Sequence, residues 1–111
     1  MLPIISKIGD PHMIFNSPTV QKYIQSGARF VATIRKSGYH YINKRVVMKV
    51  GDKEFYGRVI AIEPIAPLTL SHYVKYSGFE SVEEWMHEAE RLHKAKIDSN
   101  KFEIVVIEAS S

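Results

Sequence analysis

Between Phe102 and Glu108 the chain reads Phe-Glu-Ile-Val-Val-Ile-Glu, and its four consecutive branched residues leave no polar position to face water. A strand with one wet face alternates apolar and polar side chains; an unbroken apolar run needs cover on both faces. The segment therefore predicts a central strand, and with it a sheet that has material packed on either side.

Upstream patterns supply the rest of that sheet. Ala28 to Lys36 alternates, with Phe30, Ala32 and Ile34 on one face and Arg29, Val31, Thr33 and Arg35 on the other. Arg45 to Val50 is a second strand, with Val46, Met48 and Val50 inward. Gly51-Asp52 then turns the chain into a third, Glu54 to Glu63, in which Tyr56, Arg58, Ile60 and Ile62 share a face. Ser17-Pro18 reads as a helix start and Gly27 as the residue closing that helix, which spans about Pro18 to Ser26. A short helix is predicted from Thr69 to about Ser77, stopping at Gly78. Ser81-Val-Glu-Glu84 forms a capping box for a longer helix to about Lys96, its apolar stripe carried by Val82, Trp85, Met86, Ala89 and Leu92. The order describes an α+β domain with a curved, mostly antiparallel sheet or small barrel.

A chain of 111 residues fits one domain, 1–111, and can bury enough surface to need no metal or disulfide. With no cysteine, a disulfide framework, a cysteine-based zinc site and a thiol nucleophile are excluded. The five histidines show no i,i+4 spacing, so neither metal nor cofactor is expected. The apolar start is shorter than a signal peptide and no run approaches membrane-spanning length, so the expectation is a cytoplasmic protein without membrane association.

Charge is distributed unevenly. From Pro11 to Gly51 there is no Asp or Glu, yet the stretch carries seven Lys and Arg residues with Phe30, Tyr39, His40 and Tyr41 among them. Glu80, Glu83, Glu84, Glu88 and Glu90 crowd the later helix. Cations neutralise phosphates and aromatic rings accept unstacked bases, so RNA or a nucleotide is the partner this pattern suits. Arg29, Arg35, Lys36, Lys44 and Arg45 are the expected phosphate contacts; Tyr39 and Tyr41 are the expected stacking platforms; Thr33 is placed to hydrogen-bond the ligand. An interaction module for a protein partner, resting on the acidic helix, is a further reading.

The segment Gly27-Ala-Arg-Phe-Val-Ala-Thr-Ile-Arg35 resembles the ASCH domain, the activating-signal-cointegrator homology module of the PUA-like superfamily. Val50-Gly51-Asp52, Gly78-Phe79-Glu80 leading into the acidic helix, and the final hydrophobic strand follow in the family's order, so the resemblance covers about Met13 to Glu108. It implies a PUA-like β-barrel with flanking helices, a cleft lined by the Thr-Ile-Arg strand, and ligands that are RNA or modified nucleosides. Some small bacterial members are amidohydrolases that deacetylate acetylated cytidine, using a strand Lys, a Thr three residues later and a Glu near the start of the acidic helix. Thr33 matches that Thr and Glu80 is the nearest acid, but Phe30 stands where the Lys would be and Arg29 beside it. Arginine stays protonated near neutrality and cannot act as a general base. The resemblance thus implies an RNA- or nucleotide-binding module, with an amidohydrolase using Thr33 and Glu80 as the alternative.

Overall fold

A computed structural model describes residues 10–110. Five strands form one mixed sheet: β1 (His12–Phe15), β2 (Phe30–Lys36), β3 (Arg45–Val50), β4 (Lys53–Pro64) and β5 (Phe102–Ala109), in the order β1-β3-β4-β5-β2. Three helices accompany it: α1 (Pro18–Gln25), α2 (Pro67–Tyr73), continued by a 3₁₀ turn at Val74–Tyr76, and α3 (Val82–His93). The fold is α+β, and the sheet curls into a half-barrel.

β5 lies between β4 and β2, antiparallel to both. Alternate side chains serve two cores. Val105 and Ile107 point into the curl with Val31, Met48 and Val59, closed at the end by Val20 and Ile24 of α1. Ile104 and Val106 point outward with Ala32 and Ile34, against Trp85 and Ala89 of α3 and Leu70 of α2. All four residues of the Ile-Val-Val-Ile run are buried, each contributing roughly 1.5–3 kcal/mol of hydrophobic stabilisation. The uninterrupted apolar run follows from that two-sided cover.

Several local expectations hold. Val50 pairs with Lys53 across a two-residue turn in which Gly51 has φ +62°, so the Gly-Asp hairpin forms. Gly27, at φ +89°, closes α1 with its N–H on the Ile24 carbonyl at 3.1 Å. Ser81 caps α3 by accepting the Glu84 N–H at 3.1 Å. α3 ends at His93, three residues before the predicted Lys96, where Lys94 with φ +55° terminates it.

Other expectations are corrected. β1 was not anticipated; it pairs parallel with β3, which makes the sheet mixed. α2 starts at Pro67, two residues before the predicted Thr69, because proline without an N–H fits a helix's first turn. Tyr56, Arg58 and Ile60 do share an outward face, but the β4–β5 register shifts between Val59 and Ala61. That bulge returns Ile62 to the inner core, so it does not share their face. Ser17 does not cap α1 with its side chain.

Candidate functional site

The curl brings the end of β2 within a side chain's reach of β1, and that side chain rather than a backbone ladder spans the seam. Arg35 near the end of β2 donates through Nε to Thr33 Oγ1 at 3.0 Å and through an Nη to the Ile14 carbonyl of β1 at 2.9 Å. Its guanidinium lies 4.6 Å from the centroid of the Phe15 ring, a cation–π arrangement. Burial lowers the Arg35 pKa from its ordinary value to about 10, so the group remains charged at neutral pH.

Beside this seam opens a cavity of about 150 Å³. Thr33, Ile34 and Arg35 form one wall; Phe15 and Ser17, at the entry to α1, form a second; Trp85, Glu88 and His93 of α3 form the third. The β2–β5 ladder takes Arg29 and Ser37 as hydrogen-bonded partners of Ala109 and Lys101. Alternation therefore turns the N–H and C=O of Phe30, Ala32 and Ile34 to the free edge of β2. Tyr23 Oη donates to the Phe30 carbonyl at 2.7 Å, and His93 Nε2 contacts the Ile34 carbonyl at 3.2 Å. A carbonyl can only accept, so His93 Nε2 carries a proton there. The Ile34 N–H points the same way as its carbonyl, along the edge that this cavity adjoins.

The cavity is rich in donors. Of the five N–H groups on a guanidinium, Arg35 commits two to Thr33 and Ile14. The Ser17 hydroxyl is 2% exposed and makes no well-formed hydrogen bond among the described residues, although it is turned toward Glu88 and favours that carboxylate's charged form. Glu88 itself is clamped by Arg91 at 2.7 and 3.1 Å. That pairing, with the smaller help of Ser17 and against the opposing effect of burial, holds its carboxyl below the usual range.

The sequence-predicted residues fall into separate places. Thr33 and Arg35 meet in the cavity. Tyr39, Tyr41 and Lys44 surround a second cavity of about 240 Å³, lined also by His40 and Pro11. Arg45 is exposed and lies 3.8 Å from Asp10, and Lys36 is exposed at the end of β2. Arg29 precedes β2 at its other end, about 20 Å from Arg35 at the strand's rise per residue. There it pairs with Glu108 at 3.0 Å and lies outside both cavities. Glu80 lines neither. It borders an open acidic groove with Glu83, Glu84 and His87, which the Thr33 cavity meets only through Phe79 and Glu88. Phe15, Ser17, Trp85, Glu88 and His93 went unassigned to the site; Trp85 reads as core and is core, at 3% exposure, while also edging the cavity.

Among the described residues no group of three His, Cys, Asp or Glu could hold a metal, and no helix is long and apolar enough to cross a membrane.

These features define an α+β protein whose curled mixed sheet carries a small, donor-rich cavity at its seam. The chain is 57% identical over 96 residues to Uncharacterized protein 105 of Sulfolobus islandicus rod-shaped virus 1, covering 86% of this chain and 91% of that protein, and it belongs to that protein's family. No family model and no solved structure matches it.

Proposed function

We propose that the chain is an ASCH-type, PUA-like module that binds RNA or a nucleotide, holding one nucleobase in the seam cavity. One observation carries the reading: a charged arginine with unused donors lines a cavity of about 150 Å³ between the Thr33–Arg35 strand and the acidic helix. A cavity of that size accommodates a single six-membered ring. Arg35 and the Ile34 N–H offer donors to the carbonyl oxygens of a base, and Trp85 and Phe15 offer apolar walls. The ASCH resemblance implies a β-barrel with flanking helices and a cleft lined by the Thr-Ile-Arg strand; the curled half-barrel with a cavity beside that strand supports the reading without closing the barrel.

The geometry favours binding over hydrolysis. Thr33 Oγ1 already accepts a bond from a cation, and the acid nearest to it along the cavity wall, Glu88, is held ionised by Arg91 and is a weak base. Glu80 lies in the neighbouring groove.

The test uses the single tryptophan, Trp85, as reporter. Fluorescence titration at low salt with each common ribonucleoside 5′-monophosphate and with mixed-sequence single-stranded RNA should give a saturable change, lost when Arg35 is replaced by methionine. No response to any of them would sink the proposal.

A further inference from the structure

We propose that the natural ligand is a single strand of nucleic acid occupying two subsites, one base in the Arg35 cavity and its neighbour on the Tyr39–Tyr41 platform. This rests on the binding reading above and adds to it the form, minimum length and direction of the ligand.

The two cavities lie at opposite ends of one short strand. The seam cavity is lined by Ile14 and Phe15 and the second by Pro11, which immediately precedes β1. At about 3.3 Å per residue, that places them roughly 10 Å apart. Arg35 serves the space between. It bonds the Ile14 carbonyl at one end; at the other, burial lowers the His40 pKa, with a smaller contribution from the Arg35 charge. The seam cavity has room for one ring only, so a stacked or paired base must leave its neighbours to enter. A free strand does this at far lower cost than a duplex.

The second subsite is built in advance. Its loop is anchored at the base, where the Asn43 N–H meets the Val59 carbonyl at 2.8 Å and Arg58 donates to the Asn43 carbonyl. The Tyr41 hydroxyl braces the loop by reaching the Gly38 carbonyl at 3.3 Å. Yet the rings of Tyr39 and Tyr41 are 70% and 62% exposed, planar surfaces offered to water beside the ammonium of Lys44. His40, lining the same cavity, has a buried Nδ1 with no partner among the described residues.

Direction follows from charge. On its α3 side the seam cavity is bounded by Glu88, and beyond it lies the separate groove of Glu80, Glu83 and Glu84, whose charges repel phosphates. A strand leaving the cavity is steered away from α3 and toward Lys44 and the two tyrosines.

The experiment compares each ribonucleoside 5′-monophosphate with the matching homotetranucleotide, as RNA and as DNA, and with a stable RNA duplex, all by Trp85 fluorescence. The tetranucleotide should bind roughly five- to 150-fold tighter than its monophosphate, the worth of stacking one base on a ring. The Tyr39→Ala/Tyr41→Ala double variant should shrink that advantage toward one, and the duplex should bind more weakly than the tetranucleotide. Both residues are exposed and the Tyr41 brace lies within the loop, so the double variant should keep its fold, which an unchanged urea midpoint checks. RNA bound more tightly than DNA would assign a contact to the 2′-hydroxyl; equal binding would assign recognition to bases and phosphates, and both agree with the proposal. A tetranucleotide held no tighter than its monophosphate, an advantage that survives loss of both tyrosines, or a duplex that binds as well would each overturn it. Monophosphate binding without a length effect removes the second subsite alone; no binding of any probe removes the seam-cavity reading with it.

Discussion

Replacing Arg35 by methionine separates a structural clasp from a ligand-binding group. Arg35 makes two hydrogen bonds, at 3.0 and 2.9 Å, and stacks over Phe15. Hydrogen bonds from a charged donor stabilise by about 1.5–3 kcal/mol each, and a cation–π contact by about 0.5–2 kcal/mol. Against this stands desolvation, which lowers the pKa from its ordinary value to about 10 and so costs about 3 kcal/mol at 1.4 kcal/mol per unit. Methionine keeps the length, removes the charge and retains contact with the Phe15 ring through sulfur. The Thr33 hydroxyl and Ile14 carbonyl that lose a partner border a cavity that water can enter. The opposing effects nearly cancel, as they do for many buried ions replaced by apolar residues. Urea unfolding followed by Trp85 fluorescence should therefore place the variant within about 1–2 kcal/mol of the parent, while its affinity for monophosphates falls at least about tenfold, a change of 1.4 kcal/mol. A loss of stability beyond about 3 kcal/mol, or retained affinity, would refute the reasoning and make Arg35 a structural clasp.

Two further outcomes test the fold around this site. A Cβ built on Gly57 would lie 2.6 Å from Ile107 Cγ2 and 2.8 Å from the Glu108 carbonyl, so Gly57→Ala should destabilise by about 1–3 kcal/mol through overpacking; an unchanged urea midpoint would show that β4 and β5 are not held at that spacing. Burial, aided by the Arg35 charge, depresses the folded-state pKa of His40, so below its unfolded value of about 6.5 the unfolded chain binds the extra proton. Stability attributable to His40 should be present above that pH and fall as the pH drops through the folded value; His40→Phe should flatten this slope, and an identical pH profile in the variant would show that His40 is solvated.

Much of the sheet was legible because its signals are local. The Ile-Val-Val-Ile run identified β5, the alternation from Ala28 to Lys36 identified β2, and Gly51 placed the hairpin. β1 was not legible: His-Met-Ile-Phe is four residues long, and its parallel pairing to β3 is a non-local choice that no turn residue announces. The register shift after Val59 was hidden for a related reason, since a bulge changes side-chain parity without changing composition. Thr33 and Arg35 were found together because they are two residues apart on one strand, whereas Arg29, of the same parity, stands at the other end with Glu108 as partner. Ser17 carried the signature of a helix cap, but its side chain was drawn to the cavity wall instead. Which acid accompanies Thr33 depended on the angle of α3, and that angle brings Glu88 rather than Glu80 to the cavity.

The side-chain seam between β1 and β2 has a geometric consequence. In a closed barrel, strand number and shear fix the girth, so the wall can change only by whole register steps. Here the wall is discontinuous, and an arginine with several rotatable bonds spans the gap. No backbone ladder therefore fixes the circumference at that point, and a change of Arg35 rotamer would alter it while every strand ladder stays intact. The lumen next to Thr33 is adjustable in a way that a fully hydrogen-bonded cylinder is not.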